Sequence, residues 1–244
     1  MYSKMAFVYD ALMYDAPYDK WINFFKHHVT HNSNLKILDV GCGTGELSIR
    51  LAEDGYCIKA FDLSEEMIEV ANQKAEHISN HVDFFQANAI DFNLNESFDV
   101  IISFCDVLNY ITDESDLIKA LNQIFQHLND GGLFIFDVHS LAYIRELDKH
   151  QIFSEVYDDL AYVWFSNEKQ LGEIHHDLTF FIKNEQEQYD RFDEYHIQKT
   201  YPKNTYVQML KSIGFKEINV YHDFSLNEDF NEDDVKRLFF VCKK

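Results

Sequence analysis

A run of apolar residues followed by three alternating glycines is the part of the chain best suited to bind a ligand. The run covers 35–40, and Gly41, Gly43 and Gly45 follow it before an apolar-periodic segment begins at Leu47. This order predicts a strand, a tight turn and the start of a helix. Glycine suits such a turn because it accepts positive φ and lets a ligand approach the backbone closely. The N–H groups of the turn and of the new helix would then bind an anionic group.

The carboxylates beside this turn distinguish between two classes of ligand. A dinucleotide fingerprint has glycines at its first, third and sixth positions, but Glu46 stands at the sixth position here. Asp39 also lies at the tip of the strand, and two carboxylates are unfavourable neighbours for a pyrophosphate. They suit a ligand with both a carboxylate and an amine, because the turn amides can bind the first while Asp39 attracts the second. S-adenosylmethionine (SAM), whose product after methyl transfer is S-adenosylhomocysteine, is such a ligand.

A further carboxylate stands where a ribose would lie. Residues 56–61 predict a second strand that ends at Asp62, about 20 residues after the first glycine. A carboxylate in this place can accept hydrogen bonds from both ribose hydroxyls. Alternatively, Asp62 only adds negative charge before a helix that opens with Ser64, Glu65 and Glu66. The spacing from the glycine turn favours the ribose role.

Several segments stand in the order of the motifs of one enzyme family. Residues 37–47 resemble motif I of the class I SAM-dependent methyltransferases, and Asp62-Leu63-Ser64-x-x-Met67 resembles motif II. Residues 98–111 resemble motif IV, whose end faces the methyl group and the substrate. The resemblance implies the following SAM-binding residues: Tyr9, Tyr18, Asp39, Gly41, Cys42, Gly43, Thr44, Gly45, Asp62, Leu63, Met67, Asn88, Ala89, Phe104, Cys105 and Asp106.

Some of these assignments have alternatives. Many members of the family carry an acidic residue where Asn88 stands, and the Asn side-chain oxygen can accept the same hydrogen bond from the adenine amino group. Ala89 would offer its backbone N–H to the ring. Tyr9 and Tyr18 lie on predicted N-terminal helices, where related small-molecule methyltransferases place a tyrosine over the methionine end of SAM. They could instead only cover the edge of the sheet.

Three residues are candidates for a catalytic role. Methyl transfer is an in-line displacement that depends mainly on alignment and exclusion of water, although a base helps a nitrogen or oxygen nucleophile to lose its proton. His139 lies at the tip of the fifth predicted strand, Asn109 follows the fourth, and His176 lies in a strand of the insertion described below. His175 and His196 are further histidines of that insertion. Each of these residues could instead be a polar residue of the core, the surface or a loop.

The pattern of elements predicts an α/β fold. The resemblance implies a Rossmann-like class I methyltransferase sheet of seven strands whose last two form a hairpin, with an antiparallel β lid inserted after strand five. The expected domains are a helical cap at 1–34, a SAM-binding core at 35–140, the insertion on the substrate side at 141–203, and the end of the core at 204–244. Polar clusters at 129–132 and 166–169 are predicted to end a helix and to form a turn between insertion strands, respectively.

Composition restricts the class of protein and of partner. The formal net charge is −21, which repels nucleic-acid phosphates and favours a cationic ligand such as SAM. The four cysteines have no metal-binding or redox spacing, so we expect reduced thiols, no metal site and a cytoplasmic protein. No apolar run approaches the length of a membrane span, and no membrane partner is expected.

These observations predict a SAM-dependent methyltransferase that acts on a nitrogen or oxygen of a small molecule. The alternatives are an RNA or protein methyltransferase, with the insertion as a recognition platform, and a non-catalytic SAM-binding protein. The expected partner is a small-molecule methyl acceptor and not a nucleic acid. Whether the chain forms a homodimer is left open by the sequence.

Overall fold

The computed structural model describes residues 9–10, 13–78 and 82–244. The strands are β1 (Lys36–Val40), β2 (Cys57–Asp62), β3 (Val82–Gln86), β4 (Phe98–Ser103), β5 (Leu128–His139), β6 (Ile152–Val156), β7 (Leu160–Gln170), β8 (Glu173–Lys183), β9 (Tyr189–Lys199), β10 (Glu217–His222) and β11 (Arg237–Lys243). The helices are α1 (Tyr18–His28), α2 (Glu46–Glu53), α3 (Glu65–Ala75), α4 (Glu114–His127), α5 (Leu141–His150) and α6 (Lys203–Ile213). Single 3₁₀ turns cover Val107–Tyr110 and Glu232–Asp234. No helix of the described ranges is long and apolar enough to cross a membrane.

Seven strands form one sheet in the order β10-β11-β5-β4-β1-β2-β3. The pairs among β1 to β5 are parallel, whereas β11 runs antiparallel to both β5 and β10. The predicted fold class, including the closing hairpin, is confirmed. The strand order reverses between β1 and β4, and in open sheets of this kind ligands bind beyond the carboxyl ends of the strands at such a point.

Alternating side chains of the strands bury an apolar layer on each face of this sheet. Ile37 of β1 packs with buried residues of α1, α2 and α3, while the next residue, Leu38, packs with those of α4 and α6. Successive residues of a strand point to opposite faces, so a continuous apolar strand contributes to both layers. This explains why the apolar run that precedes the glycines forms a central strand.

The insertion forms a separate antiparallel sheet in the order β6-β7-β8-β9. It packs on α5 through a small apolar cluster that contains Ile144, Leu147 and Ile174. The turn predicted at 166–169 is wrong, because these residues belong to β7. Two of their polar groups bind α5: the Ser166 hydroxyl donates to the Leu147 carbonyl at 2.8 Å, and the Glu168 N–H donates to Asp148 at 2.8 Å.

Two other boundaries differ from the prediction. Residues 129–132 do not cap α4 but lie within β5, where the backbones of Gly131 and Gly132 hydrogen-bond to that of Lys244. The segment that follows β5 begins with a helix, α5, before the antiparallel strands begin. Of the helix expected at the start of the N-terminal cap, most residues lie outside the described ranges, whereas α1 buries Trp21, Phe24 and Phe25 against the sheet as expected for the second.

Candidate active site

A cavity of about 800 Å³ lies beyond the carboxyl ends of β1, β2 and β4. Its wall brings together residues from the glycine turn, the ends of β2 and β3, and the segment after β4. The predicted SAM-binding residues that line it are Tyr9, Tyr18, Asp39, Gly41, Cys42, Gly43, Thr44, Asp62, Leu63, Met67, Asn88, Ala89, Phe104, Cys105 and Asp106. Gly45 is not part of this wall. A Cβ there would lie 2.7 Å from the Phe84 ring, so this glycine allows α2 and β3 to pack closely.

The first two glycines of the turn differ in what surrounds them. A Cβ on Gly41 would lie 2.2 Å from a methyl carbon of Val107, so the 3₁₀ turn after β4 packs directly on this residue. A Cβ on Gly43 would meet only the Tyr9 ring, at 3.9 Å. Both residues have positive φ, of 78° and 54° respectively. The backbone of Gly43 therefore faces open space in the cavity, as a site of close ligand approach requires.

Asp62 connects the glycine turn to the start of α3. Its two carboxylate oxygens accept hydrogen bonds from the N–H groups of Gly43 and Ser64, each at 2.9 Å. Ser64 is the N-cap of α3, and its hydroxyl accepts from the Met67 N–H. The carboxylate also lines the cavity. The ribose role and the helix-start role are thus compatible in one residue.

Asp39 is a buried carboxyl at the tip of β1, and its exposed fraction is only 3 %. The Ser48 hydroxyl donates to it at 2.6 Å. Burial raises the pKa of Asp39 to about 7; the Ser48 hydrogen bond opposes this rise and the nearby Asp62 adds to it. This carboxyl therefore changes its charge near neutral pH, on the wall where an amine of the ligand is expected.

The turn after β4 is held in an uncommon conformation by a buried ionic network. Cys105 and Asp106 both have positive φ, of 61° and 53°. Their N–H groups donate to the carboxylate of Asp137 at 2.9 and 3.1 Å, and the Trp21 indole donates to the same carboxylate at 2.8 Å. The Arg237 guanidinium hydrogen-bonds to both Asp106 and Asp137. These contacts compensate the strain of a turn that carries two cavity-lining residues.

Asp106 is ionised within this network. Burial alone would raise its pKa, but His139 and Arg237 together lower the pKa well below the usual range of a carboxyl. Gln198 of β9 also donates to this carboxylate, at 2.7 Å. Asp106 therefore joins the seven-stranded sheet to the insertion.

The three candidate catalytic residues do not line the cavity, and each has structural contacts. Asn109 is fully buried; its amide accepts from the His139 N–H at 2.9 Å and donates to the Lys199 carbonyl at 2.8 Å. The His139 ring lies behind Asp106, with 3.2 Å between Nε2 and the carboxylate. His176 accepts from the Trp164 indole at 3.0 Å, and burial lowers its pKa to about 4. We therefore do not place these side chains at the reacting atoms.

Comparison with known proteins identifies the family. Residues 37–132 match a methyltransferase domain. The protein YqeM of Bacillus subtilis (strain 168), which its name places among the methyltransferases, is 39 % identical over 100 % of this chain and 97 % of its own length. The chain belongs to the SAM-dependent methyltransferases.

Two further similarities involve proteins with more specific names. The crystal structure of an S-adenosylmethionine-dependent methyltransferase from Clostridium acetobutylicum ATCC 824 superimposes with a TM-score of 0.86 at 28 % identity, over 98 % of this chain and 97 % of that one. The glycine/sarcosine N-methyltransferase of Aphanothece halophytica is 27 % identical over 91 % of this chain and 80 % of its own length. The predicted family, enzyme class and cofactor are confirmed.

The walls of the cavity fit this cofactor. Asp39 and Asp62 suit its cationic amine and its ribose hydroxyls, and the open side of Gly43 allows its amino-acid end to approach the backbone. No lysine or arginine lines the cavity in the described part of the chain, so no cationic side chain there would offset the charge of a pyrophosphate beside Asp39 and Asp62. Bound SAM supplies an electrophilic methyl group on a sulfonium; the chain positions it and excludes water.

The pKa of Asp39 predicts how this methyltransferase binds its cofactor as pH changes. The free carboxyl, with a pKa of about 7, is largely protonated at pH 6. The cationic amine of SAM favours the ionised form, so binding releases a proton and affinity rises between pH 5.5 and about 7. Calorimetry with S-adenosylhomocysteine across this range measures the rise, and Asp39→Asn should abolish it. The fragment 5′-methylthioadenosine, which lacks the amino-acid end, is the matched control ligand and should bind independently of pH; the same slope for both would contradict the assignment.

Two residues of the insertion reach the cavity of the methyltransferase, and sequence reasoning missed one of them. Glu194 and His196, both on β9, line the wall together with Tyr110 of the 3₁₀ turn. The alternation of β9 places the two side chains on one face. That alternation was readable in the sequence, but which face meets the cavity depends on how the insertion packs on the core.

Proposed function

We propose that this methyltransferase transfers a methyl group to a nitrogen or oxygen atom of a small molecule. The observation that carries the proposal is a single cavity whose wall joins the cofactor motifs to Glu194 and His196 of the insertion. Its volume of about 800 Å³ falls in the range of roughly 300–1,000 Å³ that is typical of small-molecule sites. A small acceptor and the reactive end of the cofactor would share this space.

The insertion, in this proposal, is a lid fixed on the substrate side. Gln198 binds Asp106 at 2.7 Å, the Asn109 amide donates to Lys199 at 2.8 Å, and the Thr200 hydroxyl donates to the His139 carbonyl at 2.6 Å. These bonds hold the end of β9 against the turn after β4. A fixed lid would exclude water and align the acceptor with the methyl group, which is most of what this displacement requires.

Charge and similarity favour a small molecule over RNA. The cavity wall has no lysine or arginine within the described ranges, and the whole chain carries a formal charge of −21. RNA binding depends on cationic contacts to phosphates. Similarity to a glycine/sarcosine N-methyltransferase, at 27 % identity, supports a small acceptor with a nucleophilic nitrogen.

The test is transfer of label from methyl-labelled SAM to a cell extract separated into small-molecule, RNA and protein fractions. We expect the label in the small-molecule fraction alone, and much less of it with the variant Asp62→Ala. Label in the RNA or protein fraction would favour the macromolecular alternative. Tight binding of S-adenosylhomocysteine in calorimetry without label in any fraction would favour a non-catalytic SAM-binding protein.

A further inference from the structure

The insertion presents two chemically complementary side chains to the cavity. Glu194 and His196 are the cavity-lining residues of the antiparallel sheet within the described part of the chain. The cofactor motifs all lie on the seven-stranded core, so this pair marks the part of the wall that is left for the acceptor. The contact between Tyr110 and His196, whose rings are 6.0 Å apart at 87°, joins this part to the turn after β4.

Glu194 differs from two carboxylates of the wall, Glu46 and Asp106, in having no cationic neighbour among the described residues. Glu46 forms an ion pair with Arg50 at 2.7 Å, and Asp106 pairs with Arg237 at 2.9 Å. No lysine or arginine of the described residues pairs with Glu194, although its side chain is partly buried. A partly buried carboxylate without a counter-ion favours a cationic ligand beside it.

His196 offers a nitrogen that nothing in the described protein uses. Its Nε2 is buried and has no hydrogen-bond partner there. The charged and titratable groups that face the ring are Glu194 on its own strand, Tyr110, and His176 opposite it on β8. Burial lowers the pKa of His196, and Glu194 only partly opposes this, so the ring is neutral at pH 7 and can accept a proton.

We infer that the methyl acceptor is an amine that enters the cavity as an ammonium ion, with Glu194 balancing its charge and Nε2 of His196 accepting its proton. The inference rests on the proposed function and narrows it from a nitrogen or oxygen atom to a basic nitrogen. An acceptor whose recognition depends on a carboxylate or phosphate would meet Glu194 without a compensating cation. An uncharged alcohol would leave the charge of Glu194 unpaired.

In this inference, methyl transfer takes place in two steps. One N–H bond of the ammonium breaks and its proton passes to Nε2 of His196, which leaves a lone pair on the nitrogen. That lone pair forms the new bond to the methyl carbon as the carbon–sulfur bond breaks, and the electrons of the broken bond stay on sulfur. The products are the methylated ammonium ion, neutral S-adenosylhomocysteine and a protonated His196, which releases its proton to water.

Binding of three matched probes tests the charge of the acceptor. The protein is first saturated with S-adenosylhomocysteine, and calorimetry then compares benzylamine, benzyl alcohol and benzoate. We expect benzylamine to bind at least about tenfold more tightly than the alcohol, because a hydrogen bond to a charged group contributes about 1.5–3 kcal/mol. Benzoate should bind most weakly. Equal binding of amine and alcohol, preference for benzoate, or no binding of the amine would overturn the inference.

Two variants of β9 test whether Glu194 balances the positive charge of the amine. Glu194→Gln should weaken benzylamine about tenfold and leave the alcohol unchanged. Asp193→Asn is the matched control: it removes one charge from the adjacent position of β9, where the side chain is 56 % exposed on the other face of the sheet. This variant should alter neither affinity. An unchanged amine affinity in Glu194→Gln, or equal losses in both variants, would overturn the role of Glu194.

The variant His196→Phe tests the proton acceptor. Phenylalanine keeps a ring against Tyr110 but cannot accept a proton. We expect amine binding to persist while the rate of methyl transfer to amines that bind falls about 100-fold or more. Equal rates in the variant and the unchanged protein, or no transfer to any amine that binds, would overturn this role. Transfer of label to a neutral or anionic metabolite in the extract would overturn the amine inference while upholding the proposed function.

Discussion

Replacing Arg237 with methionine is expected to lower the free energy of unfolding by about 3–5 kcal/mol. The guanidinium hydrogen-bonds to Asp106 and Asp137, and the Asp137 side chain is fully buried. Methionine can fill much of the same space beside the Trp21 ring, which lies 5.2 Å from the guanidinium carbon. The loss would therefore come mainly from two buried carboxylates left without their cation. Urea unfolding followed by circular dichroism measures it.

An exposed arginine provides the comparison for this measurement. Among the described residues, the Arg191 side chain on β9 bonds to Asp193 alone, two positions further along, and it is 62 % exposed. Ion pairs of this kind contribute little, because water and salt screen them. Arg191→Met should thus leave the unfolding midpoint nearly unchanged. A similarly small effect of Arg237→Met would show that the two carboxylates reach water once the guanidinium is gone.

The variant Asp62→Ala is expected to weaken binding of SAM and S-adenosylhomocysteine by up to about 1.5–3 kcal/mol for each ribose hydrogen bond lost. At the lower figure, two such bonds correspond to a loss of about 100-fold in affinity. The carboxylate also accepts from the Gly43 and Ser64 N–H groups, so the variant loosens the turn as well as the ribose contact. Calorimetry with S-adenosylhomocysteine provides the affinity.

A modified ligand separates these two effects of Asp62. The 2′,3′-dideoxy analogue of S-adenosylhomocysteine lacks both hydroxyls, so it should bind the unchanged protein much more weakly than the natural ligand. If Asp62 holds the ribose, the two ligands should bind Asp62→Ala with nearly equal affinity, because the partner of the hydroxyls is already missing. If Asp62→Ala still binds the dideoxy analogue much more weakly than the natural ligand, another residue makes the ribose contact.

Local patterns in the sequence predicted which residues of the cofactor motifs would come together on one cavity wall. The glycines, Asp39 and Asp62 lie within one strand–turn–helix unit and the strand that follows it, so short-range spacing determines where they point. Although the start of β5 at 129–132 was wrongly predicted to end a helix, the same holds for its apolar second half. Short-range rules are sufficient there because neighbouring residues supply the constraints.

The arrangement of residues on the substrate side of the cavity depends on long-range contacts, which spacing in the sequence does not reveal. His139 lies at the expected tip of β5. However, its ring contacts Asp106, its N–H donates to Asn109, and its carbonyl accepts from Thr200. The polar cluster at 166–169 looked like a turn because its partners on α5 are some 20 positions away in sequence. Arg237 has no local motif at all; its importance follows only from the pairing of β11 with β5.

The position of Arg237 has a consequence for how the protein matures during synthesis. Asp106 precedes this arginine by 131 positions and Asp137 by 100. At about 5–20 residues per second, a ribosome would finish both carboxylates several seconds before their counter-ion is made. A nascent chain cannot favourably bury the two charges unpaired, so the turn of Cys105 and Asp106 should lock only after β11 has joined β5. The glycine turn could thus be synthesised and folded while the turn of Cys105 and Asp106, on the acceptor side of the cavity, is still unformed.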